Sequence, residues 1–271
     1  AAASLPFFSA LALADFAVLS RVLSLADFLP LSFVFAMAAS LQVRCQTGPM
    51  RVLSTRLRGI PSGAVSDATL ERLYAFPRAR WLRANFVSTL DGAAQGADGL
   101  SGSINTPADA RVFSANRRLA DCVMVGAGTA RVENYGPARK PLIIVSRRGR
   151  LPEGLRNSRT RVVLATCESS RRRAGDDVWV IGDDAVDLAG VVARCAAEGM
   201  PRVLTEGGPH LFADLLAAGL VDDLALTVSP RLVGGDPLRI VAPGGALAGR
   251  ADLRHVLEED GSLMTLWRLS R

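Results

Sequence analysis

The residues best placed to do chemistry are Glu206, Gly207 and Gly208, which follow the apolar run Arg202 to Thr205 and precede Pro209. Pro209 suits a first helical position, where its fixed φ and missing N–H do no harm. Leu211, Phe212, Leu215 and Leu216 then recur at helical spacing, and Gly219 marks the stop. A buried strand that delivers an acid and two glycines to a helix N-terminus makes a seat for a phosphate. The glycines admit a ligand to the backbone, and the free N–H groups and helix dipole favour negative charge. Glu206 is left at the strand end, facing the crevice in which open α/β sheets hold ligands. A strand–Gly–Gly–helix corner also occurs as a plain tight turn, so this block needs support from elsewhere.

That support comes from Trp81 to Pro137. Its pieces are Asn85 to Gly92 (NFVSTLDG), Gly99 to Pro107 (GLSGSINTP) and Asp121 to Thr129 (DCVMVGAGT). Together with Glu206 to Gly208, Gly219 to Asp223 and Pro230 to Gly235 (PRLVGG), they stand in the order found in one family. The chain resembles the pyrimidine reductases of riboflavin biosynthesis, which share the fold of dihydrofolate reductase. The resemblance runs from about Trp81 to the C-terminus. It implies NADPH as cofactor and a phosphorylated pyrimidine, 5-amino-6-(5-phosphoribosylamino)uracil, as substrate, with a ribosyl group reduced to ribityl. The cofactor carries the hydride and the protein supplies position and electrostatics. No catalytic nucleophile or metal is required. The His-x-Glu and Pro-Cys-x-x-Cys motifs of the deaminase domain fused to many members are absent, which implies a stand-alone reductase.

The family's roles carry over residue by residue. Asp91, Ser101, Arg117 and Glu206 match substrate-contacting positions, with Arg117 suited to the ribose phosphate and Glu206 to the pyrimidine head. Val87 and Ser88 would flank the nicotinamide. Ser103, Thr129, Glu133 and Ser146 match positions that touch the dinucleotide. Gly126 and Gly128 form a turn whose N–H groups can meet the pyrophosphate, and Gly207, Gly208, Pro209, His210, Leu211 and Phe212 would hold cofactor phosphates. Plainer roles stand beside some of these: Asp91 as an Asp-Gly turn former, Arg117 as an exposed helix residue beside Arg118, His210 as a solvated or capping side chain. Arg147 and Arg148 could meet a 2′-phosphate or simply be solvated. Two departures bear on the substrate: Ser103 stands where many members have tryptophan, and Glu133-Asn134-Tyr135-Gly136-Pro137 replaces Asp-Asp-Pro. They leave room for a reductase acting on dihydrofolate or another pteridine or pyrimidine, or for a low-turnover nucleotide-binding protein.

Composition agrees with anionic ligands. The net charge is +6, and Lys140 is the only lysine, so nearly all positive charge is arginine, whose planar fork binds phosphates bidentately. Nucleic acid is disfavoured: the basic residues are scattered apart from Arg171-Arg172-Arg173, with no zinc spacing, aromatic stacking signature or helix-turn-helix pattern. Cys45, Cys122, Cys167 and Cys195 have no paired spacing, which fits a reduced cytoplasmic protein. His210 and His255 lack a metal-type spacing.

Residues 1–49 are almost wholly apolar, broken by Asp15, Arg21 and Asp27. The longest uncharged run, Phe28 to Val43, contains Pro30 and falls short of the ~18 residues of a spanning helix. No basic region precedes it, so it makes a poor signal peptide. Met50 directly precedes the family-like part and would be a sensible initiator, with Met37 a second candidate. We expect an extension outside the fold, from an over-extended reading frame, with a membrane-associated hairpin as the alternative. Residues 50–271 then form a single reductase domain.

The elements that must position these residues alternate. Strands are expected at Trp81–Thr89, Asp121–Gly126, Pro141–Ser146, Arg161–Ala165, Val178–Ile181, Arg202–Thr205 and Asp223–Ser229. Helices are expected at Pro107–Leu119 with Thr106 as cap, from Thr129, at Ala185–Glu198 and after Pro209. Leu253 to Leu269 reads as a hairpin about Asp260-Gly261. The fold class is α/β: a three-layer dihydrofolate reductase-like fold, its mixed sheet mostly parallel, flanked by helices and finished by an antiparallel hairpin. Family members are often dimers, and the apolar C-terminal strands could supply the face of a homodimer.

Overall fold

Ten strands and five helices follow one another in the computed structural model, which describes residues 48–270 apart from 61–62, 137–138, 157, 174–176 and 245–248. The expectation for residues 1–49 lies outside the described residues, Gly48 and Pro49 aside, and the fold below is that of the unit Thr47–Arg271. The chain runs β1 (Arg51–Thr55), α1 (Asp67–Leu73), β2 (Trp81–Thr89), α2 (Pro107–Leu119), β3 (Cys122–Gly126), α3 (Ala127–Val132), β4 (Leu142–Val145) and β5 (Val162–Thr166). It continues through β6 (Val178–Val180), α4 (Leu188–Ala197), β7 (Arg202–Thr205), α5 (Pro209–Ala217), β8 (Asp223–Ser229), β9 (Ala251–Glu259) and β10 (Ser262–Leu269).

These strands form one sheet in the order β1-β9-β10-β8-β2-β7-β3-β4-β5-β6. From β8 to β6 all pairings are parallel, whereas β10 runs antiparallel to β8 and β9, and β1 antiparallel to β9. The central strands are apolar throughout because both faces are covered, as parallel sheets require. Their two-residue period splits them between cores. Cys122, Met124, Ile143, Val163 and Val203 pack with α4 and α5 through Val191, Cys195, Leu211 and Leu215. Val123, Val125, Leu142, Ile144 and Leu204 face the other way, onto Ala127 and Ala130 of α3. On that same side α1 and α2 cover β8, β9 and β10 through Leu70, Leu73, Val112 and Ala115. The result is the expected three-layer mixed α/β fold.

Local chemistry sets the boundaries. Thr106 accepts a hydrogen bond from the Asp109 amide at 3.2 Å and Pro107 opens α2, the arrangement its sequence predicts. Asp260 and Gly261 both take positive φ (48° and 76°), as a type I′ turn demands between β9 and β10. Two helix starts differ from expectation. α3 begins at Ala127, not Thr129, because Gly126 itself serves as cap directly at the end of β3. α4 begins at Leu188, not Ala185, because the Asp187 carboxylate accepts from the Gly190 amide at 3.1 Å and so fixes the first turn there. β1 and α1 were not expected at all.

Candidate active site

A cleft of about 1350 Å³ opens at the carboxyl ends of β2, β7, β3 and β4. Neighbouring strands β3 and β7 feed helices on opposite faces of the sheet, α3 and α5, and a crevice must open where the connections part. The two strand ends touch there: the Gly126 amide donates to the Gly207 carbonyl at 2.6 Å. The Gly207–Gly208 peptide is cis. A Cβ at Gly207 would lie 2.8 Å from the Phe86 ring, and one at Gly208 would lie 2.1 Å from the Thr129 hydroxyl. A side chain at either position would collide with these groups as they stand. A Cβ at Gly128 would meet nothing, so that residue leaves the cleft floor open.

Towards β2, the cleft is lined by Asn85, Asp109, Phe113, Arg117, Tyr135 and Glu206. Arg117 reaches from α2 to Glu206 at the end of β7 in a bidentate pair, Nε to Oε1 at 2.7 Å and Nη2 to Oε2 at 2.6 Å. The Tyr135 hydroxyl donates to Oε2 of the same carboxylate at 2.6 Å. Burial and the adjacent Glu206 carboxylate hold that phenol protonated, well above the usual range. The Arg117 guanidinium also sits 4.3 Å from the Phe113 ring centre, which fixes its plane. Behind this wall, fully buried Arg83 pairs with Asp223 at 2.8 Å through two nitrogens and donates to Asn116, whose amide donates to Asn85. That network ties β2, β8 and α2 together and fixes the Asn85 side chain at the cleft. Asp109 is buried on α2. Desolvation pushes its carboxyl up to about 6 against a hydrogen bond from Thr227 that pulls the other way.

Towards β4, the lining passes to Gly126, Gly128, Thr129 and Ser146, with the exposed guanidiniums of Arg147, Arg148 and Arg150 at the rim. Ser146 directly follows β4 and accepts from the Arg150 amide at 3.2 Å. Anionic groups suit this side. Backbone approach, a helix N-terminus on each face and three arginines all favour negative charge.

Residues 80–263 match the family model described as the RibD C-terminal domain. The chain belongs to that family. The 2,5-diamino-6-ribosylamino-4(3H)-pyrimidinone 5′-phosphate reductase of Methanothermobacter thermautotrophicus is 30% identical over 188 residues, 62% of this chain and 86% of the relative. The like-named reductase of Archaeoglobus fulgidus is 25% identical over 197 residues, 64% of this chain and 90% of the relative. Among solved structures, a pyrimidine reductase-like protein of Corynebacterium diphtheriae shares the fold with a TM-score of 0.64 at 22% identity, covering 74% of this chain and 98% of its own.

In this RibD C-terminal domain the cleft brings together Val87, Ser101, Arg117, Gly126, Gly128, Thr129, Glu133, Ser146, Glu206, Gly208, Pro209, His210 and Leu211. Glu133 accepts from the Ser101 amide at 2.9 Å, joining the loop after β2 to the end of α3. Five expected residues are not among those lining it. The Ser88 hydroxyl turns to the Thr89 carbonyl, and Ser103 is exposed beside the Asp98 carboxylate at 2.8 Å. Gly207 lies under the Phe86 ring, and Phe212 is buried against Phe86 with ring centres 4.7 Å apart. Asp91 is exposed and accepts from the Thr89 hydroxyl and from the Val233 and Gly234 amides at 3.0 and 2.7 Å. Those donors hold its carboxyl at about 2. It latches the turn after β2 to the Pro230–Gly235 loop, as its turn-forming reading requires. Sequence reasoning gave no role to Asn85, Asn105, Asp109 or Tyr135, all of which line the cleft. Asp109 was masked because an acid in a first helical turn is ordinary.

Proposed function

We propose that this chain is an NADPH-dependent reductase of a ribosylaminopyrimidine 5′-phosphate, converting the ribosyl group to ribityl in riboflavin biosynthesis. The observation that carries the reading is the glycine-walled crevice between β3 and β7, with an acid–arginine cluster on one side and arginines on the other. The named activity of the archaeal relatives supports it.

The residues present fit the cofactor. Gly126, Gly128, Thr129 and the start of α5 at Gly208 would take its phosphates, Val87 and Phe86 would wall the nicotinamide, and Arg147 and Arg148 would favour the 2′-phosphate over NADH. When bound, NADPH supplies the hydride that reduces sugar C1′. The chain's own residues bind and orient. The Arg117 guanidinium, aimed by Glu206 and Tyr135, keeps Nη1 outside its ion pair and suits the substrate phosphate. Glu206 and Asp109 bring carboxyl groups to the side where the pyrimidine would lie. Phe86 and Phe113 keep water from that end.

Buried free Cys122, Cys167 and Cys195 support a reducing, cytoplasmic setting. No helix among the described residues is long and apolar enough to cross a membrane. Exposed Leu53 and Leu263 on the antiparallel strands support a homodimer face. Incubating the protein with NADPH and either the 2,5-diaminopyrimidinone or the aminouracil ribosyl phosphate tests the reaction. Oxidation of NADPH with formation of the ribityl product is expected, and no turnover of either compound would refute it.

A further inference from the structure

We propose that Trp81, Arg268, Arg254 and Arg78 form a phosphate-binding site at the end of the sheet opposite the cleft. The site lies where β2 and β8 begin and β10 finishes, and it stands apart from the reductase reading above.

Two donors are left without acceptors there. The Arg268 guanidinium stacks on the Trp81 ring, 4.3 Å from its centre. Arg268 Nε and Trp81 Nε1 are both buried and have no acceptor among the described residues. Trp81 itself is 4% exposed. Neither group can accept a hydrogen bond, so only an acceptor completes them. Native structures rarely leave a buried donor unpaired, because its desolvation then goes uncompensated.

The neighbouring acids do not answer that need. Across its two strand pairings Arg268 faces Asp223 on β8 and Asp252 on β9. Both oxygens of Asp223 are taken by Arg83, at 2.8 Å each. Asp222 accepts from the Leu82 amide at 2.8 Å. Arg78, Arg254 and Arg268 form no ion pair among the described residues, with Asp252 or any other acid.

Positive charge is gathered instead. The register of β9 on β10 slips between Leu266, opposite His255, and Trp267, opposite Leu253, so Arg254 is the extra residue of a bulge. Bulges re-aim side chains. Arg254 is half-buried, and Arg78 is exposed on the connection from α1 to β2. Burial, with the Arg254 and Arg78 charges, lowers the Arg268 pKa, while Asp223 and Asp222 raise it. The guanidinium stays charged. Donors thus come from β2, β9, β10 and the loop before β2. A tetrahedral phosphate offers acceptors on every side, whereas a planar carboxylate offers them along one edge.

The full chain, isotope-labelled at its tryptophan indole nitrogens, is saturated with NADP+ to fill the cleft and titrated with inorganic phosphate under NMR. The Trp81 indole signal, assigned with Trp81→Phe, is expected to move saturably. That of Trp179, on β6 at the far edge of the sheet, should stay. Sodium acetate at the same ionic strength should leave Trp81 where it is. No movement of Trp81 with phosphate, an equal movement with acetate, or a movement seen only when NADP+ is left out would overturn the proposal. Arg268→Gln and, separately, Arg254→Gln should each weaken phosphate binding at least tenfold. The second variant leaves the Trp81 stack untouched, so undiminished binding in it would also overturn the site. Ribose 5-phosphate then identifies the source: tighter binding than inorganic phosphate assigns the site to a phosphate ester, and equal or weaker binding assigns it to the free ion.

Discussion

Glu206 sits at the junction of three roles: it directly follows β7, pairs with Arg117 and accepts from Tyr135. Replacing it by Gln preserves shape and removes a charge-assisted contact worth roughly 1.5–3 kcal/mol. Glu206→Gln should therefore cut kcat/KM at least tenfold with NADPH affinity nearly constant, measured by steady-state rates beside a cofactor titration. Equal loss of NADPH binding would move Glu206 to the cofactor side. Tyr135→Phe should act in the same direction and less severely, since it leaves the ion pair intact. Asp109 gives a test in pH. Its folded value of about 6 lies above the free 3.8, so the fold favours the protonated form. The stability this carboxyl contributes is complete below about pH 4 and lost as pH rises through about 6. Asp109→Asn, which mimics the protonated form, should raise Tm over the wild type at pH 8, by on the order of 2–3 kcal/mol of stability. The gap should close below pH 4, and a gap independent of pH would contradict the assignment. None of this was visible in the sequence, where Asp109 is one acid among several. Its burial depends on α2 lying against β2 and β8, a contact between segments far apart in the chain.

At the scale of elements, the turn between β7 and α5 decides whether the crevice exists. A Cβ at Gly208 would fall 2.1 Å from the Thr129 hydroxyl on α3, so the close approach of the two helix starts depends on that residue. Gly208→Ala should weaken NADPH binding more than tenfold and lower Tm. Adding Thr129→Ala removes the hydroxyl and should restore part of both losses, whereas no recovery would show that the crowding lies elsewhere. Glu206-Gly207-Gly208-Pro209 made this turn legible in the sequence, since each residue type suits its position. β2, α2, β7 and β8 were legible to the residue for similar reasons: capped or apolar runs with clear punctuation. β1 and α1 were not. β1 is a mostly exposed five-residue edge strand, paired along its length with β9 alone apart from a single bridge from Arg51 to Ala64. α1 is a seven-residue helix held by the Ser66 cap and by packing of Leu70 and Leu73. Tertiary contact, not local pattern, makes both. Likewise Phe212 and Gly207, read as phosphate contacts from their motif, turn out to be packed on Phe86.

For the whole molecule, the order of the sheet places the site. β3 and β7 are neighbours with helices on opposite faces, and Arg117, Gly126, Thr129, Ser146, Glu206 and Gly208 all sit at or just past a strand end or on a helix flanking one. Every residue lining the cleft lies within the unit Thr47–Arg271. Met50–Arg271 produced alone should fold and bind NADPH as tightly as the full chain; aggregation or a tenfold loss of affinity in the truncated protein would show that the preceding residues belong to the working enzyme. The central claim is that hydride passes from the cofactor into the sugar and leaves the pyrimidine ring untouched. Turnover with NADPH deuterated on the reactive nicotinamide carbon, followed by NMR of the product, tests it most directly. Deuterium at C1′ of a ribityl chain is the result expected, and deuterium in the ring, or none in the product, would contradict it.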